Sequence, residues 1–469
     1  MKAISTLLAL LLTASFATAG DQPLPPRVSD IEYPISYWIA PLAADSLRVL
    51  DRDVSAYLAP DPRVRRIAVD LVVSVYDVEV PEAAILAAEA VAGGTPRGED
   101  PGAFREALAR SGGRIALACR GPLLVIGLTA PPEGFDAAFA LFLRLLRDPR
   151  VEGHALRALK AGRLDAWRLR DETPGLRERE TYFQIASGGE AGFLTASGMD
   201  VWTAGNLPDA FASLLSARRI SIGVSGPFQD LPMLDTLDGI TKELSEGPKE
   251  PRTPPQASTG LNKLVLVGTD APLASGTAGF PLPPLSDERN AAIEVALNLL
   301  ARRALRAFQA RHQVSSGFET DIRHDPAGHR HALFSFRLPP PWAVDLVSVL
   351  LEEANRLASN LARDRDVLAA AETIKRRRRL AFACSRAQAR TFASMHGVPG
   401  DVTKMDGFTA VTAGEVRDAA EAVLAPSRFL AVISGPADGI RSRAEHVGLG
   451  ARGLDIEAGD FFLRLDRTK

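Results

Sequence analysis

One stretch of this chain is written twice. Residues 203–227 reappear without a gap as residues 412–436: Thr203, Ala204 and Gly205 match Thr412, Ala413 and Gly414; Asp209 and Ala210 match Asp418 and Ala419; Arg219 matches Arg428; and Ser225, Gly226 and Pro227 match Ser434, Gly435 and Pro436. The same offset of 209 residues carries Pro131, Pro132, Asp136 and Leu141 onto Pro340, Pro341, Asp345 and Leu350. Nearly a hundred residues therefore repeat in one register. Solenoid repeats have periods of roughly 20–50 residues, so a period this long means two whole domains of one design. Two similar lobes that face each other enclose a cleft.

Within each lobe the pattern is strand, helix, hairpin, long helix, further helix and a closing strand. Residues 67–80 are rich in valine and alternate like a strand, and residues 114–130 read as a hairpin turning at Gly121 and Pro122. Apolar residues at helical spacing follow over 135–146 and 156–170, and residues 220–224 form a short buried strand closed by Gly226 and Pro227. The second lobe repeats this order, with strands at 263–267 and 429–433 and a hairpin of 318–323 and 332–338 across Asp325, Pro326, Ala327 and Gly328. Residues 247–260 hold Pro248, Pro251, Pro254 and Pro255, a composition that favours an extended connector. The domain plan is thus an N-terminal lobe over 28–240, a Pro-rich linker over 247–260, a C-terminal lobe over 261–440 and a tail over 441–469.

Lys2, the apolar run from Leu7 to Phe16 and the small residues Ala17, Thr18 and Ala19 have the layout of a secretory signal peptide over residues 1–19. That run is shorter than the about 20 apolar residues of a membrane span, and no later segment is apolar for that long without a charge. The expectation is an exported, soluble chain, most compatible with a bacterial periplasm. With 46% hydrophobic residues the chain can bury large cores, and a formal net charge of −2 favours no nucleic-acid partner. Only Cys119 and Cys384 are present, one per lobe, so cores rather than a disulfide framework hold the fold; the two thiols either pair across the lobes or stay free and buried.

The ordered set of a strand, a short helix ending at Gly94 and Thr95, the Gly112-Gly113 pair, a hairpin, paired helices and a closing strand before Gly-Pro resembles one lobe of the pitrilysin/insulinase-type zinc peptidases. Residues Val411 to Val416, with the helix and strand that run to Ser434, Gly435 and Pro436, resemble that family's C-terminal lobe. The likeness covers roughly residues 30 to 440. It implies an α+β fold of two homologous lobes, each an antiparallel sheet backed by helices, paired like a clamshell around an extended peptide.

The family's chemistry depends on an H-x-x-E-H sequence on that short helix. Two histidines a helical turn apart bind zinc, the glutamate activates a water, and a distant glutamate completes the metal shell. Zinc lowers the bound water's pKa to about 7 and so supplies a nucleophile at neutral pH. Counted back from Gly94 and Thr95, this chain reads Ile85-Leu86-Ala87-Ala88-Glu89, and no histidine precedes His154. Where the remote glutamate is expected stand Asp165, Ala166, Trp167 and Arg168. Glu89 alone holds no zinc and reads as a structural helix residue. The helix has become apolar enough to pack on its sheet. In the second lobe the family's substrate-steadying arginine and tyrosine, seven residues apart, fall on Phe308 and Ser315, and the usual glycine-rich turn is replaced by Leu299 to Arg303. Arg303, Arg306 and Arg311 lie near and read as an exposed basic helix face. No catalytic, metal or substrate-binding residue is assigned, and no cofactor.

Two further groups stand out. His324, His329 and His331 flank the turn from Asp325 to Gly328 and could hold a transition metal with Asp321 or Asp325. Strand alternation sends His329 and His331 to one face, but an exposed hairpin tip lacks neighbours to orient the rings. Lys375 to Arg379 spread five positive charges around a helix, a solvated surface or a dock for an acidic partner. No Ser/His/Asp arrangement, P-loop or dinucleotide turn is recognisable. Two function classes follow: a non-catalytic subunit that binds extended peptide by strand addition and completes the chamber of an active zinc-bearing relative as a heterodimer, the family including two-subunit enzymes of that kind; or a metallopeptidase with a rearranged zinc site drawn from His154, His312 or the 324–331 cluster. A stand-alone peptide-binding protein is a third reading. The non-catalytic partner accords best with the missing ligands.

Overall fold

The repeated Thr-Ala-Gly marks the same local device in both lobes. Thr412 Oγ1 accepts the Glu415 N–H at 3.2 Å while Glu415 Oε2 accepts the Thr412 N–H at 2.7 Å, a reciprocal capping box. At the matching place Thr203 Oγ1 accepts from Asn206 N at 3.3 Å and Asn206 Oδ1 accepts from Thr203 N at 2.7 Å. The repeated Ser-Gly-Pro closes a strand in each lobe, and Gly226 (φ 138°) has the Arg66 carbonyl 2.7 Å from where a Cβ would stand. The repeat is thus written in residues whose local geometry tolerates little else.

The computed structural model describes residues 47–75, 78, 81–120, 123–188, 194–246, 261–284, 289–315, 317–325, 328–381, 384–396, 408, 410–450 and 454–458. The signal-like residues 1–19, the turn at Gly121 and Pro122 and the linker 247–260 lie outside them. The first half runs β1 (Leu47–Val49), β2 (Ser55–Pro60), β3 (Ile67–Ser74), α1 (Pro81–Ala92), β4 (Thr95–Pro96), α2 (Pro101–Arg110), β5 (Arg114–Arg120), β6 (Leu123–Ala130), α3 (Phe135–Arg147), β7 (Pro149–Arg150), α4 (Gly153–Glu172), α5 (Leu176–Ala186), α6 (Ala196–Asp200), α7 (Leu207–Leu214), β8 (Ile220–Gly226) and α8 (Asp230–Glu243). The second half runs β9 (Lys263–Gly268), β10 (Ala274–Leu282), α9 (Asn290–His312), β11 (Phe318–His324), β12 (Arg330–Leu338), α10 (Pro340–Ser359), α11 (Asp364–Ala381), α12 (Ser385–His396), α13 (Ala413–Val423), β13 (Leu430–Gly435), α14 (Ala437–His446) and β14 (Asp455–Ala458).

Each half builds a six-stranded sheet, in the orders β1-β2-β8-β3-β6-β5 and β14-β9-β13-β10-β12-β11; five strands correspond one for one, while the edge strand is antiparallel β1 in the first sheet and parallel β14 in the second. The fold is α+β with two like lobes, as expected. The sheets are mixed rather than wholly antiparallel: β2 pairs with β8 and β9 with β13 in parallel, because long helical connections return the chain to the sheet in the same direction. Residues 441–469 are not simply a tail. They contribute part of α14 and the edge strand β14, which pairs with β9.

One face of each sheet carries the helices of its own half. Phe135, Phe139, Phe142, Leu145 and Leu146 of α3 are buried there at helical spacing, and Val344, Val347, Leu350, Leu351 and Ala354 of α10 do the same in the second lobe. The opposite face of each sheet is covered by one helix from the other half. On the first sheet α12 places Ala393 among Val72, Leu123 and Val125 and stacks Phe392 on Tyr57. On the second, α5 packs Tyr182, Phe183 and Ala186 onto Val265, Val267, Leu333, Leu430 and Val432. Leu176 and Ser385, where these helices begin, are themselves related by the repeat.

Both crossing helices are pinned by buried polar contacts. Asp70 on β3 receives Arg386 (2.9 and 3.2 Å) and Arg390 (2.9 and 3.0 Å) from α12. Burial pushes the Asp70 carboxyl up, but the two guanidinium groups outweigh it and hold it below its ordinary value. Its neighbours in register are Gly127 and Gly223. A Cβ on Gly127 would stand 2.5 Å from Asp70 Oδ1, and one on Gly223 2.7 Å from the Ala389 carbonyl of α12. Reciprocally, the wholly buried Glu178 of α5 accepts hydrogen bonds from Ser275 Oγ (2.8 Å) and from Ser434 Oγ on β10 and β13.

Candidate functional site

The short helix α1 begins at Pro81, where a missing N–H costs nothing, and Glu82 accepts the Leu194 N–H at 2.6 Å. Ala84, Leu86, Ala87, Ala88 and Val91 are buried, so the helix packs on its sheet as its apolar sequence implies. Ile85 and Glu89, counted to the two histidine positions of the peptidase motif, are half-buried, and Ala88, at the glutamate position, is buried.

Glu89 is engaged by Arg163 of α4, whose Nη2 and Nε donate to Oε2 at 2.8 and 3.1 Å. The helix from which a remote carboxylate ligand was expected thus presents a cation instead. Asp165 points elsewhere and pairs with Arg168 at 3.1 Å on an exposed surface, while Trp167 is buried beside Ala83, Leu86, Leu194 and Met199. One carboxylate already paired with a guanidinium, an isoleucine and an alanine do not make a zinc donor set, so the site does not fit the family's metal.

Cys119 on β5 is free and exposed, as is Cys384; neither is a buried thiol. Protein packed around Cys119 pushes its thiol up to about 11, Glu89 adds to that rise and Arg163 opposes it. A thiol so raised is no nucleophile at neutral pH. Sequence reasoning missed Arg163 and Cys119 as neighbours of Glu89, since nothing in spacing alone sets positions 119 and 163 against position 89.

Phe308 lies in the second lobe's core, 4.7 Å from the His312 ring, and so offers no surface to a substrate. Arg306 and Arg311 are exposed and Arg311 pairs with Glu352 at 3.2 Å, while Arg303 is half-buried. On α11, Arg376 and Arg377 are exposed and Lys375 pairs with Glu372 at 3.1 Å. This is a solvated face. Among the described residues, neither His154 nor His312, both named for a rearranged zinc site, joins a group of potential metal ligands. His154 is exposed on α4, and His312 stands 3.4 Å from Asp345 beside Trp342.

The 324–331 histidines divide. Strand register sets His324 opposite Arg330, and Arg330 donates to Pro283 O and Asn290 Oδ1 on the face that carries α9. The other face gathers Asp325, His329 and His331, all buried. Asp325 Oδ2 lies 2.7 Å from His329 Nδ1 and 3.3 Å from His331 Nε2, and Asp325 Oδ1 accepts the His329 N–H at 2.8 Å. Pro326 and Ala327 of the turn lie outside the described residues, but Asp325, Gly328 and His329 are buried rather than exposed as expected, and Tyr182 and Phe183 of α5 pack edge-on against His331 at 5.5 and 5.4 Å. Burial drives Asp325 up, but the bonds from His329 and His331 prevail and bring its carboxyl down to about 2. Burial likewise lowers His331 and takes His324 down to about 4.

Two mixed sheets, each clad by its own helices and by one helix of the other half, define the two-lobed fold of M16-type peptidases. An inactive domain of peptidase M16 from Pseudomonas fluorescens superposes with a TM-score of 0.72 at 13% identity, covering 83% of this chain and 98% of that one. The periplasmic protease PqqL from Escherichia coli gives 0.65 at 14% identity over 89% of this chain and 49% of that one. A chain of Complex III2 from Candida albicans gives 0.64 at 13% identity over 86% and 99%. No protein-family profile and no curated protein sequence matches the chain.

Proposed function

We propose that the chain is a non-catalytic peptidase-like subunit, which binds extended peptides, completes the chamber of an active zinc-bearing relative, or does both. The observation that carries this reading is the Glu89–Arg163 ion pair, which occupies the place of the zinc site with a fixed protein cation. A guanidinium carries charge but has no open coordination position, so it polarises no water toward attack. The likeness to a protein described as an inactive M16 domain supports the same reading.

Peptide binding is supported by the sheet edge beside α1. β5 ends the strand order of the first sheet, and its outward backbone N–H and C=O groups can pair with an added strand without regard to side-chain identity. Export to the periplasm rests on the signal-like layout of residues 1–19, together with the absence among the described residues of any helix long and apolar enough to cross a membrane. The heterodimer is tested by co-purifying the chain with an H-x-x-E-H relative from the same cells. The expected result is a stoichiometric complex whose peptidase activity exceeds the relative's own. A relative that is fully active and unassociated when mixed with the chain overturns the subunit role.

A further inference from the structure

Outside the degenerate peptidase site, one group of side chains among the described residues has the donors and convergence of a metal centre. Asp325, His329 and His331 each offer a ligand atom, and these atoms lie within 4.8 Å of one another. We propose that Asp325, His329 and His331 form a structural site for a divalent transition-metal ion, zinc foremost, that fastens the β11–β12 turn beneath α5 of the other half.

The geometry favours a single point of convergence. Ligand atoms bound tetrahedrally at about 2.0–2.1 Å from zinc stand about 3.3 Å apart. His331 Nε2 and Asp325 Oδ2 already have that separation, 3.3 Å. The His329 Nδ1 contact, at 2.7 Å, opens by about half an ångström, which one small ring rotation supplies. The two imidazole planes stand at 87° with their ring centroids 6.4 Å apart. Two nitrogen donors and one oxygen suit zinc and its borderline neighbours better than calcium or magnesium, which take oxygen shells.

A second observation points to an occupant. The His331 Nδ1 and Tyr182 Oη atoms are buried with no hydrogen-bond partner among the described residues. Both residues are 0% exposed, and Asp325 is near enough for its charge to bear on Tyr182. Buried polar atoms without partners are rare in native proteins and mark missing water or ions. A metal-bound water in the fourth position would give the Tyr182 hydroxyl one. The packing of Tyr182 and Phe183 on His331 orients the ring, the role that neighbours play around a protein-held metal. His324 takes no part, since it faces the other side of the sheet.

The test titrates chelator-treated, full-length chain with Zn²⁺ by calorimetry and with Co²⁺ by its visible spectrum. One equivalent at micromolar affinity or tighter is expected, with a rise in Tm on zinc addition. His329→Gln, His331→Gln and Asp325→Asn each weaken binding by at least about 100-fold, whereas His154→Gln and His324→Gln leave it unchanged. If the ligand variants misfold, X-ray absorption at the zinc edge of the wild-type chain decides, since two imidazoles and a carboxylate are expected around the ion. A folded wild-type chain that binds neither metal overturns the proposal, as does binding that survives loss of His329 or His331. Asp325, His329 and His331 are buried, so the site admits no peptide and brings no chelator-sensitive proteolysis, and its failure leaves the non-catalytic reading untouched.

Discussion

The Asn substitution at Asp70 tests how the two halves hold each other. Asp70 accepts four N–H bonds between 2.9 and 3.2 Å from two guanidinium groups, and it is almost wholly buried while Arg386 and Arg390 keep 36% and 20% of their side chains exposed. Asparagine preserves the shape and one acceptor, but turns an amide donor toward a guanidinium and removes the charge that neutralises both arginines. Breaking a buried pair by removing one partner costs about 3–5 kcal/mol, and the partial exposure of the arginines places this case near the lower end. Asp70→Asn should therefore destabilise the chain by about 3 kcal/mol, roughly 150-fold in the folding constant, measured by urea unfolding at pH 7. The folded pKa of Asp70 is depressed, so its contribution is complete above the unfolded value of about 3.9 and is lost as pH falls through the folded value. The gap between wild type and variant should narrow below about pH 4. A loss under about 1 kcal/mol at pH 7, or an equal loss at pH 3, would refute the reasoning.

Gly223→Ala places a methyl 2.7 Å from the Ala389 carbonyl, so α12 must shift, and a loss of about 1–3 kcal/mol in thermal or urea unfolding is expected. At pH 8 a thiol at about 11 is about 0.1% thiolate, against about a quarter for an ordinary cysteine, and the greater nucleophilicity of the more basic thiolate recovers about tenfold of that, so Cys119 in a Cys384→Ser background should alkylate about 10–30-fold slower than a free thiol, by mass spectrometry. That rate should climb as pH approaches 11. The triple variant Ile85→His, Ala88→Glu, Glu89→His should gain no peptidase activity with added zinc in a fluorogenic peptide assay, because Arg163 remains and α4 offers no remote carboxylate at the site.

What could be read from the sequence is what local rules enforce. The Thr-Ala-Gly and Ser-Gly-Pro repeats persist because capping boxes and strand-closing turns constrain residue type at fixed spacing, and the helix of 135–147 announces itself by apolar periodicity. The emptied zinc motif was legible because a donor set is a matter of residue identity. The crossing of α5 and α12 was not, since each helix satisfies an amphipathic pattern that does not say which half supplies the partner surface. For the same reason Glu178 gave no sign that Ser275 and Ser434 would receive it. Alternation correctly joined His329 to His331, but grouping by proximity in sequence included His324, which the strand register sends to the opposite face. The burial of His331 depends on α5, nearly 150 residues earlier in the chain.

The most direct test of a chamber without a catalyst is the cleavage of a mixed library of extended peptides by the purified chain alone, followed by mass spectrometry with and without chelator. Binding of some peptides and hydrolysis of none is expected, whether or not zinc is bound at Asp325, His329 and His331. Turnover that chelator abolishes and added zinc restores would contradict it.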